Sequence, residues 1–157
     1  MTTYRHKCIV KAAQQGEITL LAHGCNCFST MGAGVAKQIA AAFPEAYEVD
    51  KKDSRYPHVK LGNYSHYTYE NGLRVVNLYT QYRYGRDRVH AEYAAIKSSL
   101  MEMIYEFDMR DRDVFYKVGL VKLGCGLGGL DWNIVEDIIN FCFLGVKSSV
   151  VIYTGEE

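Results

Sequence analysis

Proline is scarce in this 157-residue chain, which carries only Pro44 and Pro57, and no low-complexity tract, charge block or internal repeat marks a linker. One domain spanning residues 1–157 is therefore expected, and a 48% apolar content supports a real core. An excess of charge is also missing. With 18 basic and 18 acidic residues, no global field would gather a polyanion, and any bound anion must be held locally. No apolar run approaches the roughly 20 residues of a membrane span, and the opening "MTTYRHKCIVK" has no signal-peptide core. The expectation is a soluble, cytoplasmic, monomeric protein that does not engage membranes. A disulfide framework is lacking too: Cys8, Cys25, Cys27, Cys125 and Cys142 are an odd set without framework spacing, which points to reduced thiols. Cys25, Cys27, Cys125 and His23 have the chemistry of zinc ligands. However, C-x-C on a strand sends its side chains to opposite faces and no C-x-x-C follows, so neither metal nor other cofactor is expected.

What is present is an alternation of strand-like and helix-like segments. Runs rich in Val, Ile and Tyr occur at "YRHKCIVK", "ITLLAHGC", "NYSHYTYE", "LRVVNLYT", "VFYKVGLVKL" and "SVVIYTG". Between them, "GVAKQIAAAF" reads as a helix stopped by Pro44. Residues 88–107 place Val89, Tyr93, Ile96, Leu100, Met103, Ile104 and Phe107 on one helical face. Asp131 suits the N-cap of a last helix that Gly145 ends, with Trp132 packing it onto the sheet. The pattern predicts an α/β fold with a largely parallel sheet, and a hairpin around "ENG" adds an antiparallel element.

In such sheets ligands sit beyond the carboxyl ends of the strands, so strand-to-helix turns come first. Two are glycine-rich: "STMGAGVA" and "LGCGLGGLDW". Glycine leaves backbone amides uncovered and a helix start offers unpaired N–H groups, which together suit a diphosphate held without lysine. Gly124, Gly126 and Gly129 also match G-x-G-x-x-G, but only one strand follows them, against a dinucleotide-binding first βα turn. The absence of G-K-[ST] excludes a Walker loop.

On these residues the chain resembles the macro domain family, modules that bind ADP-ribose and in some cases hydrolyse its derivatives. "LLAHGCNCFSTMGAGVAKQIAAAFPEAY", "VVNLYTQYRYG" and "LVKLGCGLGGLDWNIVEDII" are similar, in order, to segments of the branch holding the yeast-type ADP-ribose 1″-phosphate phosphatases and terminal ADP-ribose glycohydrolases. The resemblance implies a three-layer α/β/α fold around a six-stranded mixed sheet, with ADP-ribose in a cleft across the strand ends. It implies that His23 and Asn26 are the catalytic residues, His23 as base, acid or nucleophile and Asn26 against the distal ribose. Gly32, Ala33, Gly34 and Val35 would line the ribose and diphosphate, and Gly124, Cys125, Gly126, Leu127, Gly128 and Gly129 would wrap the phosphates.

Two departures bear on activity. Glycohydrolases of the branch use a lysine where Gln81 stands and an aspartate where Gly128 stands, so their covalent route is not expected. Removal of phosphate from ADP-ribose 1″-phosphate is the leading expectation. De-ADP-ribosylation of protein or nucleic acid by a lysine-independent route, or reading of ADP-ribose without turnover, are the alternatives. Asp87 and His90 are the next acid–base candidates, Gln81 and Tyr84 belong to the rim, and residues near Tyr153 and Thr154 would meet adenine. Tyr82 and Tyr84 interleave with Arg83, Arg86 and Arg88, a mixture able to stack on nucleic acid, but direct nucleic-acid binding is not expected.

Overall fold

The structure, a computed structural model, describes residues 2–110 and 114–155. Six strands form one sheet: β1 (Thr3–Arg5), β2 (Leu20–Asn26), β3 (Tyr64–Thr68), β4 (Arg74–Gln81), β5 (Lys117–Leu120) and β6 (Ser149–Tyr153), in the order β1-β6-β5-β2-β4-β3. Every pairing is parallel except β3 with β4, which form the hairpin expected at "ENG", where Gly72 takes a positive φ of 91°. The fold is the mixed, mostly parallel α/β sheet that the sequence implied.

Period-two alternation divides the central strands between two apolar layers. Leu20, Ala22, Val76, Leu78, Val118 and Leu120 pack with Ile96 and Leu100 of α5 (Tyr93–Ile104) and with Val135 and Ile139 of α6 (Trp132–Cys142). On the opposite face Leu21 and Val75 pack with Val10 and Ala13 of α1 (Ile9–Gln14), Ile39 of α2 (Gly34–Ala42) and Ala46 of α3 (Pro44–Lys52). His23, Cys25, Asn77 and Tyr79 follow on that second face, so the sequence continues an apolar stripe into a polar one toward the strand exits.

Three local expectations change. The first strand-like run is a strand only at Thr3–Arg5, while Ile9, Val10, Ala12 and Ala13 bury one side of α1, a spacing that serves a helix as well as a strand. The helix expected from Arg88 begins instead at Tyr93, because the Glu92 amide donates to Thr80 O at 3.0 Å and Ala91 bridges Gln81, holding this stretch extended along the exit of β4. Beyond Ile104 the helix widens into a π-helical turn, Tyr105–Met109, which still buries Phe107. Pro44 does end α2, and it then opens α3 at a position where a missing amide hydrogen costs nothing. A single turn, α4 (Pro57–Lys60), leads into β3.

Candidate ligand-binding site

The carboxyl ends of β2 and β5 open into two loops, residues 27–33 and 121–131, which run directly into α2 and α6. Asn26 pins the first loop. Its Oδ1 accepts the Phe28 amide at 2.8 Å, and its Nδ2 donates to Thr30 O at 3.0 Å and Thr30 Oγ1 at 2.7 Å. The carboxamide is thus engaged on both sides in an Asx-type turn. Ala33 precedes α2 without a side-chain cap, whereas Asp131 caps α6 by accepting the Asn133 amide at 2.9 Å, as its position in the sequence predicted. The start of α2 therefore carries its peptide dipoles without a capping side chain, and the start of α6 already carries a carboxylate.

The glycines of these loops fall into two groups. A Cβ at Gly128 would lie 2.5 Å from Gly124 O, one at Gly129 2.9 Å from Val89 Cγ2, and one at Gly124 2.9 Å from Leu130 Cδ1; these three are required by packing. Gly32 and Gly126 have neither a positive φ nor any atom within 4 Å of such a Cβ. Fold alone gives no reason for glycine there, and the backbone of both loops lies bare at those two points. The crowding at Gly128 also means that an acid in the family position has no room in this loop.

His23 sits on β2, as the sequence suggested, but deep in the fold. Its ring is 1% exposed, inside the sheet face covered by α3 and away from open solvent. Nε2 donates to Asn77 Oδ1 at 2.7 Å, while Asn77 Nδ2 donates to Ala46 O and Ser65 Oγ, an arrangement that fixes Oδ1 as acceptor and His23 as the Nε2–H tautomer. Burial pushes the imidazole down to about 4, against a partial lift from Asn77, so the ring is neutral at physiological pH. The neighbouring Cys25 sulfur lies 3.7 Å from Nδ1, and burial raises its thiol well above the ordinary range. Both groups are closed off from solvent, and the imidazole is engaged as a neutral donor within the packed interior.

The remaining candidates divide similarly. Cys125 donates its thiol to Leu123 O, and burial raises its pKa, so it is no activated nucleophile. Gln81 Nε2 donates to Arg83 O at 2.7 Å. Tyr153 is buried, with its hydroxyl donating to Glu17, whereas Thr154 is exposed, with its amide donating to Arg5 O. Tyr84 and Leu127 are exposed. Asp87 and His90 form a pair: His90 is buried and its Nε2 donates to Asp87 Oδ1 at 2.8 Å, a bond that holds the exposed Asp87 carboxyl below its usual range. Residues flanking His90 reach the second loop, since Val89 adjoins Gly129 and Ala91 adjoins Gly124 and Gly128. Sequence reasoning missed Phe28 as part of this rim: Phe28 and Tyr82 meet edge to face at 5.1 Å, and the Arg83 guanidinium lies over both rings. It also missed Asp50 and Lys60, which are buried beneath the first loop and have no motif around them.

A parallel-centred α/β sheet with two glycine loops at its carboxyl edge is the architecture of a macro-type module, and residues 22–139 match the macro domain family. The chain belongs to that family. It is 38% identical over 126 residues to an uncharacterized 17.5 kDa protein of Enterobacteria phage T4, covering 76% of this chain and 77% of that one. It is 26% identical over 148 residues to an ADP-ribose 1″-phosphate phosphatase of Meyerozyma guilliermondii, covering 77% and 82%. The macrodomain of Mycobacterium tuberculosis DarG superposes with a TM-score of 0.79 at 24% identity, over 99% of both chains.

Proposed function

We propose that this protein binds ADP-ribose across its two loops and hydrolyses an ADP-ribose derivative, releasing phosphate from ADP-ribose 1″-phosphate. The observation that carries the reading is the pair of bare glycines, Gly32 and Gly126, one in each loop, where backbone can approach a diphosphate without an intervening side chain. Family membership and the likeness to the Meyerozyma phosphatase support the substrate class.

In this reading the loop amides and the open start of α2 stabilise the phosphoryl oxygens. Asp87, ionised and exposed, holds the attacking water and takes its proton; buried His90 orients Asp87 through the Nε2–Oδ1 bond. Water's oxygen bonds to phosphorus, the bond from phosphorus to the ribose 1″ oxygen breaks, and that oxygen takes up a proton from solvent, to which Asp87 returns the one it accepted. Asn26 shapes the ribose side of the loop and His23 fixes the strand beneath it. Gln81 and Gly128 supply neither the amine nor the acid of a covalent route. The Phe28, Tyr82 and Arg83 cluster favours a second reading, removal of ADP-ribose from a protein or nucleic acid whose planar groups would rest on that rim.

Incubation with ADP-ribose 1″-phosphate, ADP-ribosylated protein and ADP-ribosylated DNA, followed by mass, decides among these. Phosphate release that falls by about a hundredfold or more in Asp87→Asn, with ADP-ribose affinity retained, supports the first reading. Turnover of a macromolecular substrate alone supports the second. If all three substrates persist while ADP-ribose binds, the chain is a reader.

A further inference from the structure

Ser29, at the bend of the first loop, is the one non-glycine among the described residues with a positive φ, 59°. A side chain in that left-handed region persists only where its surroundings impose it. Here they do. Ser29 Oγ donates to Asp50 O at 3.0 Å and accepts from Lys60 Nζ at 3.2 Å, while Tyr47 OH donates to Ser29 O at 3.2 Å. Lys60 and Asp50 are 2% and 0% exposed and lie 3.4 Å apart. The Asp50 carboxylate is held through Oδ1, which also accepts from Tyr79 OH at 2.7 Å, and its Oδ2 has no hydrogen-bond partner among the described residues. Lys60 lies over the Tyr79 ring at 4.5 Å. From Tyr79 the chain continues through Ser65 and Asn77 to His23.

A buried ion pair is a poor device for stability alone, because desolvation of both charges offsets their attraction. Its position, with the ammonium aimed at the strained serine, suggests another task. We infer that Asp50 and Lys60 are positioning residues that lock Ser29 in its left-handed conformation and so hold the loop between Asn26 and Gly32 in the shape that presents its backbone to a ligand. The consequence for ADP-ribose rests on the function proposed above; the consequence for the loop does not.

The test compares wild type with Lys60→Met and with the double variant Asp50→Leu, Lys60→Met. Single removal strands a buried carboxylate and lowers the melting temperature. The double variant restores charge balance and recovers that loss, which separates folding from loop position. Two readouts follow: hydrogen exchange at the Cys27 and Phe28 amides, bonded to Tyr82 O and Asn26 Oδ1, and titration with ADP-ribose. The inference expects a double variant that melts like wild type yet exchanges both amides about tenfold faster and binds ADP-ribose about tenfold more weakly. Wild-type exchange at both amides in that variant overturns it. Should wild type bind no ADP-ribose, the proposed function fails, and the exchange rates still decide the loop anchor.

Discussion

His23 shows what one residue's surroundings do to its chemistry. The same imidazole that reads in sequence as a neutral-pH acid–base group is, once folded, a neutral donor to Asn77 held near 4 by burial. The unfolded chain takes up a proton at about its ordinary 6.5, and the folded chain refuses it until about 4, so stability is fully present above that window and declines as pH falls through it. The loss amounts to at most about 3 kcal/mol. Denaturant titrations from neutral pH downward should show this decline, and His23→Leu should flatten it; part of the remaining slope belongs to His66, which burial and then Arg74 also depress. Asn26, expected from the resemblance to meet the distal ribose, holds the turn after β2 through its own carboxamide. The difference could not be read earlier because both uses need the same amide at the same strand end.

Elements were legible where the signal is local. Asp131 is an N-cap in sequence and in structure, and Asp131→Ala should cost about 1 kcal/mol of stability, read from the melting temperature. The start of α5 was not legible, because the pairing of residues 91 and 92 with the end of β4 is a tertiary constraint that overrides helical periodicity from Arg88 to Glu92. That override places Val89 and Ala91 against the second loop, with His90 between them. The glycine string 124–129 reads as uniform in sequence, yet it contains two kinds of glycine. Gly128→Ala should destabilise the fold by about 1–3 kcal/mol through overpacking on the Gly124 carbonyl, and Gly126→Ala should leave thermal stability unchanged. Comparable melting temperatures for the two would contradict the division.

At the scale of the whole molecule, strand–helix alternation was enough to anticipate a mostly parallel sheet, and the rule that ligands gather at carboxyl strand ends was enough to locate the loops. What composition and periodicity could not supply is the polar seam from Ser29 through Asp50, Tyr79, Ser65 and Asn77 to His23, since its members come from four separate segments and meet only when α3 closes on the sheet. The seam lies beneath the first loop, so a hydrogen-bonded layer separates the apolar core from the bare backbone at Gly32. The central claim is that this bare backbone, rather than a cationic side chain, receives the diphosphate. Calorimetric titration of ADP-ribose into wild type and Gly126→Val tests it most directly. The account predicts saturable binding to wild type and a loss of about tenfold or more in the variant at unchanged melting temperature; equal affinity for the two proteins, or no heat of binding in wild type, would contradict it.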